Sequence, residues 1–577
     1  MHNACVNACE ATDRVRRSRR WPGVVTLWAA VWLPLLLQSC GGGGSDGGGD
    51  AGSTPAASLT PSSGRVSADS PVAAGCTGGG AVGVLYANAE VEPMLARSPT
   101  NPQQLLAAWQ QDRWSDGGAR AIVSAVSQDG GATWTRTLHP LSRCGGAATG
   151  SAGDFERATD PWVDIGSDGV MHVMGLAFSG ASFTPGSRNA MLASRSIDGG
   201  RTWSAAQTLV LDGATLFNDK NTLTVDAIDP RFVYAVWDRV EPSENAATLL
   251  ARSTDAGLSW EPAREIYRPP ATAGGSTQTI GNRIVVLTAG TQRGWLVNVF
   301  TQVDRTVATV NGMVVTSARN TVRVMRSADR GASWSTPVTV AEHRAVGARD
   351  PNTGTLIRDG GIIPSITTGP DGALWVAWQD SRFSGGVRDA IAVSRSSDGG
   401  ATWSTPVQAS RGGSAPAFTP TLHVRDDGLV GLLYFDLRPD TADTGTLLAA
   451  SWLATSSDGA TWADTVVWSP FDMAQAPNAR GLFLGDYMGL VSSGNRFLPL
   501  LVLSGTDLNN RNDAYLLPVT PGTASATAAS TVETPVQALS EAEFQARRNA
   551  FTQRVMEQRL PDWARRVRLQ APASEGR

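Results

Sequence analysis

Four stretches of the chain end an alternating apolar run with an aspartate and an arginine no more than two positions apart. They are LLAAWQQDR (105–113), VYAVWDR (233–239), LWVAWQDSR (374–382) and GLLYFDLR (431–438). Alternation marks a strand, so Asp112 with Arg113, Asp238 with Arg239, Asp380 with Arg382 and Asp436 with Arg438 are placed at strand tips. Arginine presents a planar fork of donors that grips a carboxylate through two parallel hydrogen bonds. Arg113, Arg239, Arg382 and Arg438 around one opening would therefore hold an acidic ligand. The competing use is a staple, in which each arginine pairs with an aspartate between neighbouring sheets. Further charged residues stand ahead of other strands: Glu156, Arg157 and Asp160; Asp219 and Lys220; Arg349, Asp350, Arg358 and Asp359; Arg480, Asp486 and Tyr487. Glu92, Asp160, Asp219 and Asp486 recur near strand starts, a carboxylate grouping that suits Ca²⁺. Capping of loop amides is the alternative use, and no other metal or cofactor is expected. The five histidines are scattered without zinc spacing. No nucleophile elbow, Walker loop or dinucleotide fingerprint stands in a strand–helix context.

The elements that must position these residues are announced by a repeat. SQDGGATW (127–134), SIDGGRTW (196–203), STDAGLSW (253–260), SADRGASW (327–334) and SSDGGATW (396–403) share one pattern, and SSDGATW (456–462) is a copy one residue shorter. A fixed repeat is read before any single element. The tryptophans are spaced by 69, 57, 74, 69 and 59 residues, enough for about four strands per unit. Three strands precede each phrase and a short one follows it, as in PSITTG, LWVAWQD, AIAVSRS and then WSTPVQA. In the phrase itself, the aspartate can accept backbone N–H groups, glycine can take a positive φ, and tryptophan can fold beneath the turn. Asp129, Asp198, Asp255, Asp329, Asp398 and Asp458 are therefore read as turn-formers. A seventh pair of strands, in LGDYMGLVSSGNRFLPLLVLSG (484–505), has no such phrase. Its outer strand is expected from AVGVLYANA (81–89), so that strands from both chain ends close a ring and remove an open sheet edge. The expected fold is all-β, a propeller of seven blades, with six as the alternative.

The repeated phrase resembles the Asp-box of sialidases and related bacterial repeat proteins, over roughly residues 80–520. That resemblance implies a β-propeller with its active site on the face away from the boxes. It also implies an arginine triad for the carboxylate of sialic acid, an aspartate acid/base, and a tyrosine nucleophile assisted by a glutamate. Carried onto this chain, Tyr487 is the nucleophile and Asp380 the acid/base. Arg113, Arg239, Arg382 and Arg438 are the substrate-binding residues. A tyrosine nucleophile is a known exception to the two-carboxylate scheme of glycosidases. One departure counts against the transfer. The family has Arg-Ile-Pro on its first inner strand, whereas NAEVEPMLA (88–96) has Val91, Glu92 and Pro93 there; Arg496 in NRFLP belongs to the seventh repeat. The resemblance thus implies a sialidase-like hydrolase of extracellular glycans. A propeller that only binds glycan or protein, or an enzyme for another polysaccharide, are the alternatives.

The rest of the chain bears on location. Of 577 residues 17% are charged and the net charge is −4, so no basic field is present to hold nucleic acid. Arg14, Arg16, Arg17, Arg19 and Arg20 precede the apolar run GVVTLWAAVWLPLLL (23–37), which is short for a membrane span and suits a signal segment. Leu37-Gln38-Ser39-Cys40 resembles a bacterial lipoprotein signal, with lipid on Cys40; plain secretion is the alternative. Residues 1–40 are thus a signal, 41–75 a Gly/Ser-rich tether, 76–520 the propeller, and 521–577 a linker and helix. Cys76 and Cys144, the two cysteines left in the body, are expected to pair in an oxidising compartment. Ser540 with Glu543 forms a capping box before EAEFQARRNAFTQRVMEQRL (541–560). A monomer held to a membrane only through a lipid is expected.

Overall fold

The computed structural model describes residues 60–559, except 62, 80–82, 311–312 and 523–536. The signal segment, Cys40, most of the tether and most of the C-terminal linker lie outside the described residues.

The described chain is all-β apart from two 3₁₀ turns and one helix. Six antiparallel four-stranded meanders follow one another, starting at Leu85–Arg97, Arg157–Ile165, Phe217–Val225, Gly275–Val286, Ser365–Thr368 and Ala417–Val424. A final meander has three strands, Gly489–Ser493, Arg496–Ser504 and Asn512–Leu516. The first strands of successive meanders pack side by side in a closed cycle that returns from Gly489–Ser493 to Leu85–Arg97. Inward-facing apolar side chains fill the layers between sheets. Trp109, Trp237, Trp378 and Tyr434 on the second strands are fully buried. An aromatic of that size contributes on the order of 4–6 kcal/mol relative to exposure.

Closure differs from expectation. Leu85–Arg97 pairs with Leu105–Trp114 as the innermost strand of the first meander and reaches the outer edge of the last only through one parallel bridge, Ala89 to Asn512. Residues 64–67, which read as tether, take that place: Val66 N donates to Ala514 O at 2.7 Å and Leu516 N to Gly64 O at 2.8 Å. Val66 is fully buried there, and Arg65 and Ser67 both reach Asp513, at 2.6 and 2.9 Å. Cys76 and Cys144 are joined by a disulfide.

Each repeated phrase is a closed turn between third and fourth strands. In the second copy Ser196 Oγ donates to Asp198 Oδ1 at 2.8 Å, and Gly200 N donates to Ser196 Oγ at 2.9 Å. Thr202 donates its N–H and its hydroxyl to the Asp198 carboxylate at 3.0 and 2.6 Å. Asp129, Asp255, Asp329 and Asp398 repeat this set. The shortened copy keeps it with Thr461 three rather than four positions from Asp458.

The opposite end, where the first strands begin, is a mouth. Five first strands carry a bulge there, with Glu92, Asp160, Lys220, Gly281 and Thr419 at φ values of 55°, 53°, 54°, 72° and 52°. A bulge bends its strand and re-aims a side chain. Across this mouth lies the helix α1 (Glu541–Gln558), begun by the Ser540–Glu543 capping box.

Candidate functional site

Three of the bulged residues are charged and come from consecutive meanders. Each is followed by Pro or Asn (Glu92-Pro93, Asp160-Pro161, Lys220-Asn221), and the left-handed backbone turns the side chain toward the axis. They meet. Lys220 Nζ lies 3.4 Å from Glu92, 3.7 Å from Asp160 and 2.6 Å from Asp486. Arg358 closes the group from the other side, donating to Asp486 through Nε at 3.2 Å and Nη2 at 2.7 Å. Its segment, Ile357–Arg358, is held by parallel pairing with Leu482–Phe483. Arg358 and Arg113 both stack on the Phe483 ring, at 4.3 and 5.0 Å from its centre. Gln110 bridges, donating to Glu92 and accepting from Arg113 Nη1 at 2.7 Å.

The electrostatics separate these groups. Glu92 is fully buried, and burial pushes its carboxyl up to about 8, with Lys220 opposing. Asp486 goes the other way: burial would raise it, but Arg358 and Lys220 outweigh burial and hold it ionised, below the usual carboxylate range. Burial would lower Lys220, yet Asp160, Asp486 and Glu92 carry it above the ordinary lysine range. Arg113 is lowered to about 9 by burial, reinforced by neighbouring Arg358. A carboxyl that keeps its proton beside one that has lost it is the arrangement general acid–base chemistry needs.

Two small cavities flank the cluster. One of about 60 Å³, under α1, is lined by Arg113, Asp160, Asp219, Lys220, Arg358 and Asp486 among others. The other, of about 30 Å³ and farther down the axis, is lined by Trp162, Lys220, Arg283, Thr421, Asp486 and Tyr487 among others. Lys220 and Asp486 form the partition between them.

Of the charged residues placed ahead of strands, Glu92, Asp160, Lys220, Arg358 and Asp486 form this centre, and of the catalytic and substrate-binding residues carried over from the resemblance only Arg113 and Tyr487 reach it. Tyr487 donates its hydroxyl to the Pro161 carbonyl at 2.9 Å and packs on Trp162. Burial, then the charges of Glu92 and Asp160, push it well above the ordinary tyrosine range. Neither feature activates it as a nucleophile. The other arginines are clamped apart on the rim. Arg239 is held bidentately by Asp212 at 2.7 and 2.8 Å. Arg382 is held by Asp380 at 2.8 and 2.9 Å. Arg438 is held by Asp436, and by Asp464 at 2.8 Å. Asp380 also accepts from Trp378 Nε1 at 2.7 Å. Only the Arg239–Asp212 pair joins neighbouring meanders as a staple; Asp380, Asp436 and Asp464 lie in the same meander as the arginines they hold. The four carboxylates grouped as a Ca²⁺ cradle do converge in part, but around the Lys220 ammonium. Among the described residues no group of acids and histidines is arranged to hold a metal. Asp219 is instead paired with Arg559 at 2.7 Å. Lys220 and Arg358 were visible only as charged loop residues; the shared signal, a charged residue before Pro or Asn at matching register, marks Glu92, Asp160 and Lys220.

No protein-family profile and no curated protein sequence matches this chain. Solved structures overlap it partially. A Hadza microbial sialidase is 18% identical over 60% of this chain and 64% of its own, under two thirds of that protein's length, with a TM-score of 0.37. An α-L-arabinofuranosidase of Fusarium graminearum is 11% identical over 76% of this chain and 97% of its own, with a TM-score of 0.39. An ulvan lyase is 10% identical over 76% and 97%, with a TM-score of 0.45. No residue role is transferred from them.

Proposed function

We propose that this chain is a seven-bladed β-propeller, exported and held to a membrane through Cys40, that acts on an extracellular glycan at the Glu92–Asp160–Lys220–Arg358–Asp486 centre. One observation carries the reading: three charged residues are held on left-handed bulges and buried together. A non-glycine residue in that conformation costs roughly 1–3 kcal/mol. Three cost about 3–9 kcal/mol, comparable with the roughly 5–15 kcal/mol net stability of a whole domain. Strain and buried charge of that size favour a site over a packing device. In the proposed chemistry Arg113 and Arg358 orient an acidic sugar and Asp486 accepts its hydroxyls; Glu92 gives its proton to the leaving oxygen as the glycosidic bond breaks, and a water that yields a proton to Asp160 adds to the anomeric carbon.

The sialidase-type reading is the finer alternative, with Tyr487 as nucleophile. The non-catalytic binding propeller is supported by the pinned Tyr487 hydroxyl and the clamped rim arginines. One experiment separates the three. Full-length chain carrying Arg559→Ala, which removes the C-terminal side chain that Asp219 holds in the mouth, is assayed on a fluorogenic sialoside, arabinan and ulvan, beside the same chain with Glu92→Gln or with Tyr487→Phe. Turnover abolished by Glu92→Gln but kept in Tyr487→Phe supports the acid–base centre. Loss in Tyr487→Phe alone supports the sialidase reading. Binding without turnover of any of them supports the binding module.

A further inference from the structure

The one α-helix among the described residues sits over the mouth, and its contacts are those of a seated ligand. Phe544, Phe551, Thr552 and Met556 are buried beneath it. Asn320 donates to Thr552 Oγ1 at 2.8 Å, and Ala318 N donates to Asn549 Oδ1 at 2.9 Å. Met556 packs on Ile280, Val303 and Ile362. At the helix end, Arg559 enters the centre: Nε donates to Asp219 at 2.7 Å and Nη1 to Gln278 Oε1 at 2.7 Å, with Asp238 3.7 Å from Nη2. Asp219 and Asp238 are both fully buried from water in this arrangement and both raised by burial, Asp238 to about 7, with Arg559 opposing. With α1 in place, the cavity above the cluster is about 60 Å³. That is room for a few waters, whereas ligand pockets run to roughly 300–1,000 Å³.

We propose that α1 is an intramolecular occupant of the mouth, an autoinhibitory cover that must leave before a sugar reaches Asp160, Lys220 and Asp486. The inference rests on the mouth being the ligand site, as proposed above. The Arg559 guanidinium takes the place of ligand donors on Asp219 and Asp238, and the apolar face of α1 takes the place of the bulk of the ligand. Releasing the helix uncovers a carboxylate-rich wall opposite Arg113 and Arg358.

The test needs no knowledge of the glycan. Ile363 lines both cavities. In the full chain carrying Ile363→Cys, iodoacetamide labelling of that position is followed by peptide mass spectrometry. It is compared with the same chain carrying Arg559→Ala or, independently, Thr552→Arg, a side chain too large for the seated helix. Labelling at least tenfold faster in both, with an unchanged melting temperature, is expected. Equal labelling overturns the proposal. So does labelling that rises only in step with a lowered melting temperature, because α1 would then be part of the structural body. Glycan turnover by the same variants is read separately. Fast labelling with no turnover would leave the cover standing and remove the catalytic reading of the mouth.

Discussion

At the turn end, six aspartates do one thing six times. Asp198 takes four hydrogen bonds within its own loop, sits at the surface and is lowered to about 2, chiefly by the Thr202 hydroxyl and N–H. At the mouth, the first strands of the same meanders present different residues at matching positions: an acid at 92 and 160, a base at 220, glycine at 281 and threonine at 419. The groups there are buried, and Glu92 and Asp486 are pushed in opposite directions. Repetition satisfies each turn aspartate locally, so the turns hold the fold and have no capacity left for a ligand. Breaking the repeat leaves charges that only partners from distant meanders can satisfy. The contrast supports placing the proposed chemistry at the mouth.

The strongest way to break that contrast is Lys220→Met. It leaves Glu92, Asp160 and Asp486 facing one another with Arg358 as the remaining direct partner, and removing one partner of a buried pair costs about 3–5 kcal/mol. Urea unfolding is expected to show a loss of that order; a loss below 1 kcal/mol would mean that the cluster is solvated. Next is pH. Glu92 is raised to about 8 and Asp238 to about 7, each chiefly by burial. A carboxyl raised in the folded state contributes stability below its unfolded pKa and loses it as pH rises through the folded value. The unfolding midpoint is therefore expected to fall from pH 5 to 9. The lowered turn aspartates act in reverse, and their contribution fades below about pH 4. A midpoint flat from pH 5 to 9 would contradict the mouth description.

Smaller effects sharpen the comparison. Ser196→Ala removes the hydroxyl that accepts from Gly200 N, at a cost of about 1 kcal/mol. It is expected to leave glycan turnover unchanged, measured beside the thermal shift. Tyr487→Phe removes one bond to the Pro161 carbonyl and is expected to cost about 1 kcal/mol or less. If it abolishes turnover, the nucleophile role returns and the acid–base centre is wrong.

The turns, the strands and the capped helix were legible because each is specified by neighbours in sequence. The six phrases carry their own donors and acceptors, and the alternating runs carry their own period. The centre was legible only in fragments. Glu92, Asp160, Asp219 and Asp486 stood out as acids near strand starts, but their counter-charge, Lys220, meets them only when the ring closes. The rim arginines looked convergent because their strand tips are equivalent. In the structure Asp380 and Asp436 hold Arg382 and Arg438 from two positions away, whereas Asp212 reaches Arg239 from the preceding meander, a choice that spacing along the chain does not encode. Closure by residues 64–67 was hidden in a tether composition, where Val66 is one of few apolar residues. The seat of α1 was hidden because its apolar residues are loosely spaced and face an asymmetric mouth.

The most direct test is turnover by full-length chain carrying Arg559→Ala, compared with the same chain carrying Glu92→Gln as well, on the sialoside, arabinan and ulvan. Turnover of one of these, falling by a hundredfold or more with Glu92→Gln while the fold is kept, is the predicted result. Equal turnover in the two proteins would contradict a catalytic centre at the mouth.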